Sequence, residues 1–217
     1  MILAAGRGAR MRDLTDERPK PLLEVHGRSL IAHQIARLRA GGFDDLVINI
    51  GYHGELIRAH LGDGTAHGVH IAYSVEPPQA YGTGGGILAA LPLLGDAPFL
   101  ALGADVWCDF PLDRLRAAPA RGDDLLHLVL VANPDHHPAG DFALGAGRLR
   151  NDGAARLTFS GIGVYRPALF AGLAPGRFEL APLLRAAADD NRASAQRHDG
   201  LWRDIGTPER LAEIAAG

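Results

Sequence analysis

The sequence contains one cysteine, Cys108, among 217 residues. A single cysteine cannot form a disulfide within the chain, and it excludes a zinc site built from several cysteines. The net charge is small as well, because 22 lysines and arginines stand against 25 acidic residues and give −3 at neutral pH. Without an overall basic field, a nucleic-acid partner is not expected. No apolar run approaches the roughly 20 residues of a membrane span, so a membrane partner is not expected either.

The sequence does contain a regular alternation of apolar strand-like runs and helix-like segments. Predicted strands cover residues 2–5, 46–50, 69–75, 98–102, 125–131 and 157–165, and predicted helices cover 29–41, 55–61, 84–94, 178–188 and 208–216. Ser29 is the predicted N-cap of the first helix, and Gly41 its predicted end. Strands separated by helices imply an α/β fold with right-handed crossovers and a mostly parallel sheet. In such folds, ligands bind beyond the carboxyl ends of the strands.

We therefore expect a cytoplasmic enzyme that forms one domain over residues 1–217, acts on small molecules and is a monomer or a homodimer. Residues 133–151, rich in Gly, Pro, His and Asp, are predicted to be irregular or to form a small hairpin insertion near the site. Cys108 is predicted to be a bystander to the chemistry, because a lone thiol without a patterned base gives no case for a nucleophile. Asp109 is a weak ligand candidate and is predicted instead to be a helix N-cap.

The first 23 residues hold the densest group of basic residues and glycines. The apolar run of residues 2–5 breaks into a loop with Gly6, Gly8 and Arg10, and Lys20 follows between two prolines. Glycines let backbone N–H groups approach phosphate oxygens, and basic side chains neutralise their charge. The flanking prolines fix the chain in an extended form and present the Lys20 ammonium at one place. A dinucleotide fingerprint is excluded because its third glycine position is Met11, and no G-x-x-x-x-G-K-[ST] loop occurs.

The remaining pattern, G-x-G-x-R-M-R-x-L-T followed by P-K-P-L-L, resembles the signature of the sugar-1-phosphate nucleotidyltransferases, the enzymes that make nucleotide-sugars. One departure is Asp13, where the family usually has proline. The resemblance implies a three-layer αβα Rossmann-like nucleotide-diphospho-sugar transferase fold with a mostly parallel, mixed central sheet. It also implies that Arg10 and Lys20 are catalytic residues that contact phosphate. For Arg7 and Arg12, direct contact and simple solvation both remain open.

Two acidic residues are candidates for a magnesium site. Asp105 follows the predicted strand of residues 98–102, and Asp204 stands in a W-x-D-I-G-T-P segment that resembles a second family motif. Carboxylates at the carboxyl end of a strand suit Mg²⁺, a hard cation that prefers oxygen. The family has glycine before the first acid, and this chain has Ala104, which could crowd the nucleotide.

The resemblance extends to the binding residues for both substrates. The segment from Glu76 to Gly86 resembles the family's nucleobase loop, and N-P-x-H-H, G-D-F and L-T-F-S-G-I lie on the sugar side. The predicted nucleotide-binding residues are Leu3, Ala5, Gly6, Gly8, Gly82, Thr83 and Asp105. The predicted sugar-phosphate-binding residues are Asn133, Asp141, Gly161 and Glu179. For His136 and His137, a hydrogen-bonding or structural role is favoured over a transition-metal site, because no third ligand is evident.

These segments resemble the subgroup that activates N-acetylmuramate 1-phosphate with UTP in cell-wall recycling. The predicted reaction joins the two substrates with Mg²⁺ and releases pyrophosphate. The alternatives are guanylyl transfer to mannose 1-phosphate, thymidylyl or uridylyl transfer to glucose 1-phosphate, and a non-catalytic nucleotide-binding module of the same fold.

Overall fold

The computed structural model describes residues 1–77, 80–116 and 122–216. Its α-helices are α1 (Leu30–Ala40), α2 (Gly54–Leu61), α3 (Gly82–Leu94), α4 (Ala181–Asp189) and α5 (Pro208–Ala216). Its strands are β1 (Ile2–Leu3), β2 (Glu24–Val25), β3 (Arg28–Ser29), β4 (Asp45–Ile50), β5 (His70–Val75), β6 (Phe99–Gly103), β7 (Val106–Cys108), β8 (Leu126–Val131), β9 (Phe142–Gly145), β10 (Arg148–Arg150), β11 (Arg156–Tyr165), β12 (Ala193–His198) and β13 (Trp202–Asp204). Across these ranges no helix is both long enough and apolar enough to cross a membrane.

A mixed sheet of nine strands forms the centre of the described part of the chain, in the order β5-β4-β1-β6-β11-β8-β12-β10-β9. The pairings β5–β4, β4–β1, β1–β6 and β8–β12 are parallel, and β11 lies antiparallel between β6 and β8. Only β11 and β10 therefore run against the other seven strands, which confirms the mostly parallel sheet. The strands β7 and β13 form a separate antiparallel pair, as do β2 and β3.

Helices cover both faces of the sheet because apolar side chains alternate along the strands. On β4, Ile48 and Ile50 pack in one buried cluster with residues of α1 and α2, whereas Val47 packs in a second cluster with residues of α3 and α4. The result is the three-layer αβα arrangement. A third buried cluster joins Met11 of the N-terminal loop to Ile214 of α5, so the last helix supports the glycine-rich segment.

The structure corrects two of the sequence-based expectations. The helix predicted from residue 178 begins at Ala181, because Pro182 favours the first turn of a helix. Phe178 lies outside it, and its carbonyl accepts the N–H groups of Gly84 and Gly85, both at 3.1 Å. The prediction that Asp109 caps a helix is also wrong, since the next helical turn begins at Leu112 after Pro111.

Part of residues 133–151 is regular. Phe142–Gly145 and Arg148–Arg150 form a β-hairpin, as one of the two alternatives predicted. The hairpin joins the central sheet, because β10 pairs with β12 and β9 pairs with β11. It therefore extends the central sheet to its edge.

Candidate active site

Two adjoining cavities open where β1 and β6 end. The first has a volume of 350 Å³ and the second 330 Å³. Both are lined by Leu3, Gly6 and Asp105, so they form one continuous cleft beyond the carboxyl ends of parallel strands. The first is also lined by Gly8, Arg10, Lys20, Ala104 and Gly206, and the second by Ala5, Asn49, Glu76, Gly82, Thr83 and Glu179. A larger groove of 710 Å³ lies at the opposite ends of the same strands and contains none of the predicted site residues.

Lys20 and Asp105 meet in the first cavity. The Lys20 ammonium donates a hydrogen bond to Asp105 Oδ2 and forms an ion pair with it. Lys20 is buried and begins a short 3₁₀ helix, Lys20–Leu22, which the extended Pro19 introduces. Gly8 lies beside the lysine stem with a φ of +67°, and a Cβ there would stand 3.0 Å from Lys20 Cβ. Glycine is therefore needed at residue 8 both for its backbone conformation and for the close approach of the lysine.

Arg10 and Asp204 approach each other across Gly206. A Cβ on Gly206 would stand 2.9 Å from Asp204 Oδ2 and 3.3 Å from Arg10 Nη1. Asp204 is not among the residues that line either cavity, but it lies beside Gly206, which lines the first, and it stands opposite Val106 where β13 pairs with β7. In addition, the Ile205 N–H donates to the Asp105 carbonyl at 3.0 Å. The two predicted metal ligands are thus carried by the same end of one antiparallel ladder.

The carboxylate of Asp204 is only partly satisfied by its neighbours. Oδ2 accepts a hydrogen bond from Arg210 Nη1 at 2.5 Å. Oδ1 is buried and has no hydrogen-bond partner among the residues that the structure describes. His136 Nε2 lies 3.1 Å from Oδ1, an ion pair when the imidazole is protonated, and it also contacts Arg210 Nη1 at 3.2 Å. A buried carboxylate oxygen that accepts no hydrogen bond fits a hard metal ion.

Arg210 and His136 contact Asp204 and were not predicted to do so. Arg210 lies in the first turn of α5, soon after Asp204, and its place in the same motif was the only signal in the sequence. His136 belongs to the N-P-x-H-H segment, and no pattern in the sequence connects that segment to Asp204. Arg7 and Arg12 are both exposed and line neither cavity, and the Arg7 guanidinium lies 5.4 Å from the centre of the Tyr52 ring.

A buried hydrogen-bond network braces the second cavity. Asn49 accepts the Ala4 N–H at 2.8 Å and donates to Glu76 Oε1 at 2.6 Å. Glu76 Oε2 in turn accepts the Tyr81 N–H at 2.7 Å. The network therefore joins the end of β1 to the loop that leads into α3. Sequence reasoning missed it, although a polar Asn49 within the apolar run of β4 was a signal.

Comparison with known proteins identifies the family of this chain. Residues 1–142 match the family described as nucleotidyl transferase. The chain belongs to the nucleotidyl transferase family. It is 49% identical to an N-acetylmuramate alpha-1-phosphate uridylyltransferase of Neisseria meningitidis, over 100% of this chain and 96% of that protein. It is 38% identical to a protein of the same name from Caulobacter vibrioides, over 100% of this chain and 94% of the relative.

The fold is also similar to that of solved structures. A UDP-glucose pyrophosphorylase solved with UDP-glucose superposes with a TM-score of 0.81 at 19% identity, over 99% of this chain and 95% of that one. The nucleotide-diphospho-sugar transferase fold predicted from the motifs is confirmed. Together with the full-length relatives, this places the chain among the sugar-1-phosphate nucleotidyltransferases, as an enzyme.

Within this nucleotidyl transferase, the predicted sugar-side residues fall into two groups. Glu179 lines the second cavity beside Gly82 and Thr83. Asn133, by contrast, donates to the carbonyls of Pro138 at 3.0 Å and Arg156 at 3.1 Å, so both of its donor hydrogens are used within the fold.

Asp141 and Gly161 also lie outside the lining of both cavities. The Asp141 carboxylate contacts His137 Nε2 at 3.1 Å and accepts the Phe159 N–H at 2.8 Å. Gly161 has a φ of +80° and stands where β11 shifts register against β8. Neither residue lines the cleft, and their contact with a sugar phosphate stays a prediction.

Proposed function

We propose that this enzyme transfers a uridylyl group from UTP to N-acetylmuramate 1-phosphate and releases pyrophosphate. The observation that carries the substrate pair is the full-length similarity to the Neisseria meningitidis uridylyltransferase. The proposed place is the cytoplasm, where nucleoside triphosphates are made, and the proposed pathway is peptidoglycan recycling. We further propose that residues 1–217 act as one catalytic domain, since the hairpin of residues 142–150 continues the central sheet.

The reaction needs charge compensation more than it needs a base. An oxygen of the sugar phosphate is already anionic at neutral pH, and it attacks the α-phosphorus of UTP in line. A P–O bond forms to the sugar phosphate while the bond between the α-phosphorus and the bridging oxygen breaks, and pyrophosphate departs with that electron pair. The protein must bring two polyanions together and hold them aligned, which is the work of positioning and of fixed positive charge.

Lys20 and Arg10 supply that charge at the first cavity. In the structure Lys20 is paired with Asp105, and the Arg10 guanidinium lies near Asp204. Lys20 is thus held at the cleft by a carboxylate before substrate arrives. We propose that both side chains turn to the β- and γ-phosphates when the triphosphate binds, which frees the Asp105 carboxylate from Lys20.

Enzymes of this family commonly use a divalent metal, and we propose Mg²⁺ held by Asp105 and Asp204. The support is the buried Asp204 Oδ1, which lacks a donor among the described residues, and the purely oxygen character of the two ligands. When bound, the ion offsets the charge on the phosphate oxygens.

The second cavity is the proposed place for the nucleoside. Gly82 begins α3 with a φ of +70°, so the loop before it turns sharply and exposes backbone groups of Gly82 and Thr83. The network from Asn49 through Glu76 to Tyr81 holds this loop in place. Glu179 lines the same cavity beside Gly82, and we propose that it contacts the sugar.

The test is a matrix of four nucleoside triphosphates against a set of sugar 1-phosphates, read by pyrophosphate release. The highest kcat/KM is expected for UTP with N-acetylmuramate 1-phosphate. Preference for GTP with mannose 1-phosphate, or for a glucose 1-phosphate pair, would replace the substrate assignment. No pyrophosphate with any pair would favour a non-catalytic module.

The metal proposal has its own test. Asp204→Asn should abolish turnover that depends on Mg²⁺, because the neutral amide binds a hard cation poorly. Glu213→Gln, an exposed change on the same helix as Arg210, is the matched control and should retain activity. Full activity in Asp204→Asn would overturn the two-carboxylate site.

A further inference from the structure

A second group of possible metal ligands lies away from the cleft. Cys108, Asp109 and His198 each offer a ligand atom, and these atoms all lie within 4.8 Å of one another. Asp109 Oδ1 and His198 Nε2 form a hydrogen bond at 2.7 Å, which a metal ion would replace. Cys108 stands opposite Trp202 at one end of the β7–β13 ladder, while Asp204 stands at the other end. The group is therefore separate from the proposed magnesium site.

The cluster is held in place by its neighbours. The Phe110 N–H donates to Cys108 Sγ at 3.4 Å, a bond from the second residue after the cysteine that stabilises negative charge on sulfur. The Phe110 ring also packs edge-on against the His198 imidazole, with ring centres 5.4 Å apart, and so fixes its orientation. The chain passes close by at Gly200, where a Cβ would stand 2.5 Å from Asp109 Oδ1 and 2.8 Å from His198 Nε2. Only glycine leaves room for the pair.

The surroundings of Cys108 favour the protonated thiol, so a metal ion must displace its proton. Burial raises the pKa of the Cys108 thiol and the Asp109 carboxylate acts in the same direction, while the Phe110 N–H and the nearby guanidinium of Arg37 act in the opposite direction. Loss of the thiol proton on metal binding would give two anionic ligands, a thiolate and a carboxylate, beside a neutral imidazole. Two negative charges offset those of a divalent ion. Arg37 also repels an incoming cation, so a moderate affinity is expected.

We propose that Cys108, Asp109 and His198 bind a Zn²⁺ ion, with the fourth position open to water. Sulfur, nitrogen and oxygen donors together select zinc and similar borderline ions, whereas Mg²⁺ prefers oxygen donors alone. The ion would tie the end of β12 to β7 and so stiffen the ladder that carries Asp204.

Co²⁺ can replace Zn²⁺ at such a site, and its absorption spectrum shows whether sulfur is a ligand. Co²⁺ is added to the full-length protein in saturating Mg²⁺, and the near-ultraviolet absorption is recorded for a sulfur-to-cobalt charge-transfer band. Because Cys108 is the only cysteine in the sequence, such a band identifies the site. One equivalent of Zn²⁺ should displace the cobalt and remove the band. Absence of the band in the wild-type protein, measured without any substitution, would overturn the proposal.

Variants then test the individual ligands. Cys108→Ser should remove the charge-transfer band, and His198→Gln should weaken Co²⁺ binding at least tenfold. His70→Gln is the matched control, because His70 also faces an aspartate, Asp45 at 3.4 Å, but has no thiol beside it. It should bind cobalt as the wild-type protein does. Equal loss in the control, or an unchanged band in His198→Gln, would contradict the assigned ligands.

Stability gives an independent measurement. At a Zn²⁺ concentration about 100-fold above its Kd, the midpoint of thermal unfolding should rise by roughly 5–10 °C. The rise should disappear in Cys108→Ser and persist in His70→Gln. A rise of equal size in Cys108→Ser would place the zinc elsewhere.

Discussion

Lys20→Ala is the substitution that tests the proposed chemistry most directly. Lys20 is the buried cation of the first cavity, and its ammonium is already paired with Asp105 at the point where the two cavities join. If this charge stabilises the transition state, its loss should lower kcat rather than only raise KM.

The expected loss of turnover in Lys20→Ala follows from the surroundings of the Lys20–Asp105 ion pair. Removing one preorganised donor from an active site costs on the order of 10²–10³ in turnover, or about 3–4 kcal/mol. The effect on folding should be much smaller. The Asp105 side chain keeps 37% of its surface exposed, so it remains hydrated without its partner, unlike a fully buried ion. A cost of about 1 kcal/mol in the free energy of unfolding is therefore expected.

The assay is steady-state pyrophosphate release with each substrate varied in turn, alongside thermal unfolding. Arg18→Ala is the matched control, since Arg18 lies in the same loop, is exposed and faces only Glu24 at 3.9 Å. Lys20→Arg keeps the charge and should recover part of the rate. If Lys20→Ala stays within about threefold of the wild-type kcat/KM, a difference of only ~0.7 kcal/mol, the reasoning fails.

Three further substitutions test other parts of the cleft. Gly8→Ala should raise KM for the triphosphate and lower the free energy of unfolding, measured with denaturant, by about 1–2 kcal/mol. The reason is that residue 8 has a left-handed backbone and that a Cβ there would contact Lys20. An unchanged KM would contradict this prediction. Glu76→Gln replaces one acceptor of the Asn49 network by a donor and should cost about 1–3 kcal/mol, with a matching loss of nucleotide affinity by calorimetry. Arg210→Ala removes the cation that binds Asp204 Oδ2 and competes with a metal ion for it. The Mg²⁺ concentration that gives half-maximal activity should therefore fall several-fold. A higher concentration would show that Arg210 supports metal binding.

The sequence predicted those parts of the fold that local patterns determine. Ser29 caps α1 through a hydrogen bond from the Ala32 N–H at 3.4 Å, and the helix ends before Gly41, as the spacing of its apolar residues indicated. The motifs likewise predicted that Lys20 and Asp105 belong to one site, and the structure brings them into contact.

Contacts that join distant segments could not be predicted in this way. Asn49 and Glu76 lie on neighbouring parallel segments, and their hydrogen bond depends on which strands pair and in which register. Periodicity along one segment contains no information about that pairing. The same holds for Asn133 and Asp141, whose polar atoms are largely used inside the fold, where the motif pattern alone suggested free ligands.

The relative position of Asp105 and Asp204 depends on the short β7–β13 ladder. Slipping this ladder by one residue would turn the Asp204 side chain to the opposite face, away from Asp105. Two buried hydrogen bonds to different layers oppose such a slip. Gln34 of α1 donates to the Val106 carbonyl at 2.7 Å, and Trp202 Nε1 donates to the Ser160 carbonyl at 2.9 Å. Each strand of the ladder is therefore anchored independently, and the two carboxylates are preorganised before any ion or nucleotide arrives.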